Sequence, residues 1–271
     1  MAYVPTKVLI FGKTYPELSS KYVETVCTGG LVESGRPIRL YPVPLRYLDG
    51  DNQYSLYDWI TVPIEKSSKD PRPESFHILP DKIQIGDNVP SDKDEWSARR
   101  DLVFRDKSWH FGGMSDLMEA NRTRNCSIGF VQPGQIDDVI MNAKPASERT
   151  KFDEKMAALQ QLVESDMFHP SFKRLAFMSH EITLRWRCAD RCKTCANQPH
   201  AMKVLDWGLF ELARRDSWGA ALNRMREISD LSRYDFRLYL GNFRLHMRNF
   251  GIIGLWYPKK QAQGSLFRPA D

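Results

Sequence analysis

No stretch of the 271-residue chain approaches the ~18–20 consecutive apolar residues that a membrane-spanning helix needs. The opening MAYVPTKVLIFGKTYP also lacks the basic segment, long apolar core and small-residue cleavage site of a secretory signal, so a cytoplasmic protein is expected. Cysteine is scarce, at five residues, and in that compartment Cys27 and Cys126 are expected as reduced, buried thiols. The HExxH and HxxxH spacings of zinc proteases are absent, and no Ser-His-Asp arrangement stands out. Gly29-Gly30 and Gly112-Gly113 lack the Lys-Ser/Thr or third glycine that would make a phosphate loop. Repeats, low-complexity tracts and long linkers are missing too.

Composition is that of an ordinary globular chain, 42% hydrophobic and 27% charged. Its net charge of +5 is unevenly spread. Residues 171–260 carry 17 Lys/Arg against 8 Asp/Glu, whereas residues 49–101 carry 7 against 12. A basic C-terminal third points to a polyanionic partner, nucleic acid first, although Arg-rich helices are also found merely solvated. On this reading Arg214, Arg215, Arg224 and Arg226 supply sequence-independent attraction to a DNA backbone.

Strands are expected at 7–13, 37–44, 58–66, 81–87 and 126–133, with alternation over 173–188 and two closing strands at DFRLYLGNF and FGIIGLWYP. Helices are expected from Ser19 or Ser20 to Cys27, over 147–165 with Ser147 as its cap, over 201–215 and over 217–229. Polar helices broken by HFGG fill 91–123. The order predicts a single α+β domain over 1–260, a mixed sheet with flanking helices and a small Cys/His insert at 187–201. Residues 261–271 read as a flexible tail.

Cys188, Cys192, Cys195 and His200 fall within thirteen positions. Four such ligands close a tetrahedron around zinc, a structural site with no open position. The Cys188-x3-Cys192-x2-Cys195 spacing also suits an iron–sulfur cluster, but Thr194 replaces the aromatic residue usual before the third cysteine, and few residues follow. Reduced cysteines without metal are the third reading. A zinc closed by protein ligands cannot activate water, so chemistry is sought elsewhere.

Carboxylates are the candidates for that chemistry. Glu24 sits beside Val23 and Val26, where an apolar setting raises a carboxyl toward acid–base duty, although pairing with Lys21 or Arg39 is the plainer alternative. Asp70 and Glu74 bracket Arg72 in a Pro-rich loop, where a self-contained salt bridge is the plainer alternative. With Lys13, Arg39 and Arg72 holding phosphates, such carboxylates suit water attack on an N-glycosidic bond. In the tail, Gln263-Gly264-Ser265-Leu266-Phe267 matches the Q-x-[SD]-L-F pattern of bacterial sliding-clamp ligands, with Gln263, Leu266 and Phe267 as its anchors.

KTYPELSSKYVETVCTGG, RPIRLYPVPLRYL and DPRPES, with the Cys/His stretch before LDW and the closing GLWYP, resemble a widespread bacterial family. The likeness extends to the phage-defence DNA glycosylases that remove glucosylated hydroxymethylcytosine. The resemblance implies base excision from double-stranded phage DNA that leaves an abasic site, with the target nucleotide flipped into a pocket. It assigns no catalytic residue. A non-catalytic nucleic-acid adaptor tethered to the clamp, and a metal-dependent nuclease, are the alternatives.

Overall fold

Val4–Lys13 forms the first strand, and its alternation sends Val8 and Ile10 into one core while Leu9 and Phe11 enter another. A strand buried on both faces explains the uninterrupted apolar run. The computed structural model describes residues 2–67, 70–92, 96–165, 171–189 and 192–260, so the clamp-like stretch Gln263–Phe267 lies outside the described residues.

The N-terminal strands are β1 (Val4–Lys13), β2 (Glu17–Ser19), β3 (Val23–Val32), β4 (Pro37–Val43), β5 (Asp58–Lys66), β6 (Ser75–Ile78) and β7 (Gln84–Asn88). They pair in the order β1-β3-β4-β6-β5, and β5 pairs back onto β1, so five strands close into a small barrel. The β4–β6 pair is parallel and the other four pairings of the ring are antiparallel. Val8, Ile10, Val26, Ile38, Leu40, Ile60 and Val62 fill it. The helix expected over 19–27 is instead β2 and the start of β3. Val23, Thr25, Val26 and Thr28 are β-branched, and pairing with β1 and β4 outweighs a helical reading of so short a run.

The remainder contains α1 (Ser97–Val103), β8 (His110–Phe111), α2 (Met114–Arg124), β9 (Ile128–Val131), β10 (Pro133–Ala143), α3 (Ala146–Glu164), β11 (His180–Cys188), β12 (His200–Lys203), α4 (Trp207–Arg215), α5 (Trp218–Ile228), β13 (Arg237–Phe243) and β14 (His246–Trp256). They add a four-stranded sheet, β14-β13-β9-β8, and a three-stranded sheet, β10-β11-β12. The chain is α+β, with mixed sheets and flanking helices. Among the described residues no helix is long and apolar enough to cross a membrane.

Local details differ from the expectations. The strand expected to begin near Lys173 starts at His180, and α4 begins at Trp207 because Met202 belongs to β12. Asp206 caps α4 by accepting from the Leu209 amide at 3.0 Å. Ser147 lies inside α3, which follows Pro145 without a side-chain cap. Strand β10 had no sequence signal, since two bulges against β11 break its alternation.

Barrel and C-terminal layers share the core around Phe11, whose ring lies 4.9 Å from that of Tyr239. Close approach here requires glycine. A Cβ on Gly29 would sit 2.5 Å from the Tyr239 ring and hydroxyl, and Tyr239 is fully buried. Gly29→Ala is therefore expected to lose roughly 1–3 kcal/mol from overpacking, read as a lower urea midpoint.

Candidate functional site

The end of β1 is stitched to the segment preceding α4. Thr14 bridges Asp206, and the Tyr15 amide donates to the Leu205 carbonyl at 3.0 Å. The KTYP and LDW stretches, far apart in sequence, thus form one surface. Lys13 donates from Nζ to the Tyr54 carbonyl at 3.1 Å and lies over the rings of Tyr54 and Trp207, at 5.6 and 5.1 Å. Burial lowers its pKa, while Asp206, Asp58 and Glu211 act in the opposite direction. Burial pushes the Asp206 carboxyl up to about 6, against the amides of the α4 N-terminus and the charge of Lys13. Tyr15 packs against Phe210 and Trp207, and the Trp207 indole donates to Glu211 at 3.1 Å. Burial, then Glu211, pushes the Tyr15 phenol up to about 12.

Glu24 completes this row. It is 1% exposed on β3, and its Oε2 lies 3.1 Å from Arg46 rather than from Lys21 or Arg39. Its Oε1 is buried with no hydrogen-bond partner. Burial pushes the carboxyl up to about 7, although Arg46 and Lys173 pull it down. The preceding Val23 has φ 64°, a left-handed conformation that strains a β-branched residue by roughly 1–3 kcal/mol. Segment 173–176 lies alongside: Arg46 donates to the carbonyls of Lys173 and Arg174 at 3.0 and 2.9 Å, and Tyr15 to that of Ala176 at 3.3 Å.

The other expected catalytic carboxylates have a different place. Arg72 grips Asp70 through Nε and Nη2, the closest contact being 2.6 Å, and donates to the Asn242 carbonyl at 3.1 Å. Arg39 donates to the same carbonyl at 3.2 Å and to that of Ser127 at 2.9 Å. Glu74 accepts from the Ser127 hydroxyl at 2.8 Å. Arg39, Arg72 and Asp70 are buried and clip the barrel to β13. Burial alone would raise Asp70, but hydrogen bonds and charge from Arg72 hold it at about 2, too weak a base for proton abstraction at neutral pH. Asp70 and Glu74, expected in catalysis, and Arg39 and Arg72, expected at phosphates, thus stand in one network between the barrel and β13, with Asp70 and Arg72 in the salt bridge that was the alternative reading. Arg72→Ala would leave Asp70 buried without its partner, an expected loss of about 3–5 kcal/mol measurable by denaturation.

The helical arginines are paired locally: Arg214 with Glu211, Arg215 with Asp216 and Arg224 with Glu227, at 2.8, 3.0 and 2.7 Å. Arg226 donates to the Val139 carbonyl. Acids on the same helices thus offset much of the charge that the sequence suggested was open to DNA. Between these helices and the barrel lies a cavity of about 470 Å³, with Tyr57, Trp96, Tyr257, Arg99, Arg224 and Asp206 in its walls. Tyr57 and Trp96 both have positive φ, 67° and 54°, and the Arg99 guanidinium stacks 3.7 Å from the Tyr57 ring centre. Neither these aromatics nor the Arg46 contact to Glu24 was visible in sequence; the pairing of KTYP with LDW was the only available signal, and it concerns motifs rather than roles.

Cys188, Cys192, Cys195 and His200 converge, with ligand atoms within 4.8 Å of one another. His200 Nε2 lies 3.4 Å from Cys188 Sγ and 3.6 Å from Cys192 Sγ. The Met114 amide, at the start of α2, donates to Cys188 Sγ at 3.3 Å, and the hydroxyls of Ser115 and Thr194 lie 3.3 and 2.9 Å from Cys192 Sγ. Burial would raise the Cys192 thiol, but these hydrogen bonds outweigh it and bring it to about 5. Three sulfurs and an imidazole, supported by outer donors, form a set that could hold a metal ion. The set joins β11, β12 and the N-terminus of α2.

Two family models match the chain: a domain of unknown function (DUF8758) over residues 4–105, and a domain of unknown function (DUF8757) over residues 110–271. The boundary falls between α1 and β8, so Glu24 and Lys13 belong to the first match, Asp206 and the Cys188–His200 set to the second. No curated protein matches the chain.

Proposed function

Since the chain belongs to the DUF8757 family, whose description assigns no chemistry, we propose from the acid–base row itself that it hydrolyses N-glycosidic bonds in DNA. The observation that carries this reading is Glu24: a buried carboxyl near neutral pKa with one oxygen on Arg46 and the other buried without a hydrogen-bond partner. In the proposed reaction the ionised Oε1 takes a proton from water, whose oxygen attacks C1′. The C1′–N bond breaks, its electron pair leaves with the base, and the base takes up the proton that Glu24 removed from water, which returns Glu24 to its ionised form. Arg46 keeps a share of Glu24 ionised. Access to Glu24, which is 1% exposed, requires segment 173–176 to move aside when DNA binds. The aromatic walls of the cavity beside Asp206 suit a flipped base, which needs stacking surfaces.

The substrate proposed is DNA carrying glucosylated hydroxymethylcytosine, the base implied by the N-terminal resemblance, in a bacterial cytoplasm. The metal is proposed to be zinc, which thiolates and imidazole favour; closed by Cys188, Cys192, Cys195 and His200, it supplies a clasp and no open position for water. Gln263, Leu266 and Phe267 are proposed to dock on the sliding clamp.

The test incubates the protein with plain and glucosyl-hydroxymethylated duplex, with and without EDTA, followed by alkali. Breaks only after alkali, and only in modified DNA, are expected. Direct nicking that EDTA abolishes would identify a nuclease, and binding without breaks would identify an adaptor.

A further inference from the structure

The cavity between the C-terminal helices and the barrel has in its wall a guanidinium whose outer nitrogens are uncommitted. Arg99 stands in the first turn of α1 and is half-buried there. Its Nε donates to the Val89 carbonyl at 2.9 Å, and the Val89 amide donates to the Tyr57 carbonyl at 2.8 Å. This frame holds the guanidinium 3.7 Å from the centre of the Tyr57 ring and 5.0 Å from that of Trp96. Among the described residues its two Nη groups make no hydrogen bond or ion pair. Asp92 acts on Arg99 electrostatically, but its Oδ2 is occupied by the Ser97 hydroxyl and the Ala98 amide.

The backbone is bent to build this wall. Tyr57 and Trp96 hold left-handed conformations, φ 67° and 54°, that bulky residues rarely adopt. Trp96 occupies the N-cap position of α1 without capping it, and Asp92 takes that role through the Ala98 amide at 3.2 Å. The strained conformation of Trp96 instead sets its ring against that of Tyr257, 5.0 Å away and also in the cavity wall. Strained residues that present aromatic faces to an open space mark a binding site. Glu211 joins this wall to the acid–base row, since it accepts from the Trp207 indole and Trp207 packs on Tyr15.

We propose that Arg99 reads the pairing edge of a cytosine-type base in this cavity, its Nη groups donating to O2 and N3. A guanidinium fork matches two adjacent acceptors, whereas thymine and uracil present a donor, N3–H, in place of the second. Tyr57, Trp96 and Tyr257 supply the stacking faces, and Asp206 and Glu211 are acceptors for the exocyclic amino group. Those two carboxylates also disfavour a phosphate or carboxylate ligand, which they would repel. C5 lies across the ring from C2, so this mode of recognition leaves a C5 substituent free. The inference deepens the base-excision reading and rests on it, adding the residue that selects the base.

The test uses the full chain with 1-methylcytosine and 1-methylthymine, binding being followed by saturation-transfer NMR, so no excision is needed for a signal. Wild type is expected to bind 1-methylcytosine at least about fivefold more tightly, the lower end of what a bidentate contact discriminates. Arg99→Lys keeps the charge but loses the fork, and is expected to bring the two affinities within about twofold of each other. Equal wild-type affinities, no 1-methylcytosine signal, or full discrimination by Arg99→Lys would overturn the proposal. Displacement of 1-methylcytosine by equimolar inorganic phosphate would overturn it too, since that identifies an anion site. The wild-type ratio decides the matter even if Arg99→Lys fails to fold. Selective binding of 1-methylcytosine without base release from modified DNA would retain the base pocket and remove the glycosylase reading. Base release without that selectivity would do the reverse.

Discussion

Glu24→Gln is expected to reduce base excision by about 10²–10⁴-fold at saturating DNA, the range over which a positioned general base contributes. Duplex affinity should change little, because Glu24 is buried and its charge is offset by Arg46. As a base, Glu24 works ionised, so wild-type kcat rises with pH through about 7. A stability signature accompanies it. The folded-state pKa lies above the ordinary 4.5, so the folded chain binds the extra proton between those values. The stabilisation is complete below 4.5 and is lost as pH rises through about 7. Between pH 5.5 and 8 wild type should lose about 2 kcal/mol more than Glu24→Gln. Urea titrations of both proteins at the two pH values check the sign and size; an equal loss in both would refute the pKa assignment.

The second large effect concerns the Cys/His set. Chelation, or Cys195→Ser, is expected to remove one metal ion per chain by elemental analysis. At a metal concentration 1,000 times Kd the bound ion contributes about 4 kcal/mol. For a domain of this size that corresponds to a fall in Tm of roughly 10 °C. The excision rate of protein kept well below its melting temperature should survive chelation, because four protein ligands leave no open position. A rate that collapses while the far-UV spectrum is unchanged would make the metal catalytic. A protein without metal that melts at the wild-type temperature would remove the clasp.

How far the sequence could be read depended on how local each interaction is. Strands β4 and β5 were legible because alternation and β-branched residues coincide in them, and the metal ligands because all four lie within thirteen positions. The donor that completes the outer shell, Met114, is 74 residues away from Cys188 and gave no signal. The 19–27 segment fits the helical period as well as the strand period because it is so short, although its valines and threonines favour a strand. Glu24 was picked out for its apolar neighbours, and they do bury it, but on a strand whose partner Arg46 lies outside its motif. For Asp70, Arg72 and Glu74 the sequence offers the local Asp70–Arg72 salt bridge but not the partners Asn242 and Ser127, which are 170 and 53 residues away. Charge density reads the same whether it faces water or a buried clip. Asp206 and Lys13 likewise become a pair only when β1 reaches the start of α4.

The central claim is that the chain breaks a C1′–N bond through Glu24, and mass spectrometry of the small-molecule fraction tests it most directly. Wild type and Glu24→Gln would each be incubated with a duplex containing glucosylated hydroxymethylcytosine. Free modified base is expected from wild type, equal in amount to the abasic sites formed, with a yield at least about 100-fold lower from Glu24→Gln over the same initial period. Released nucleotides in place of free base, or equal base release by the two proteins, would contradict it.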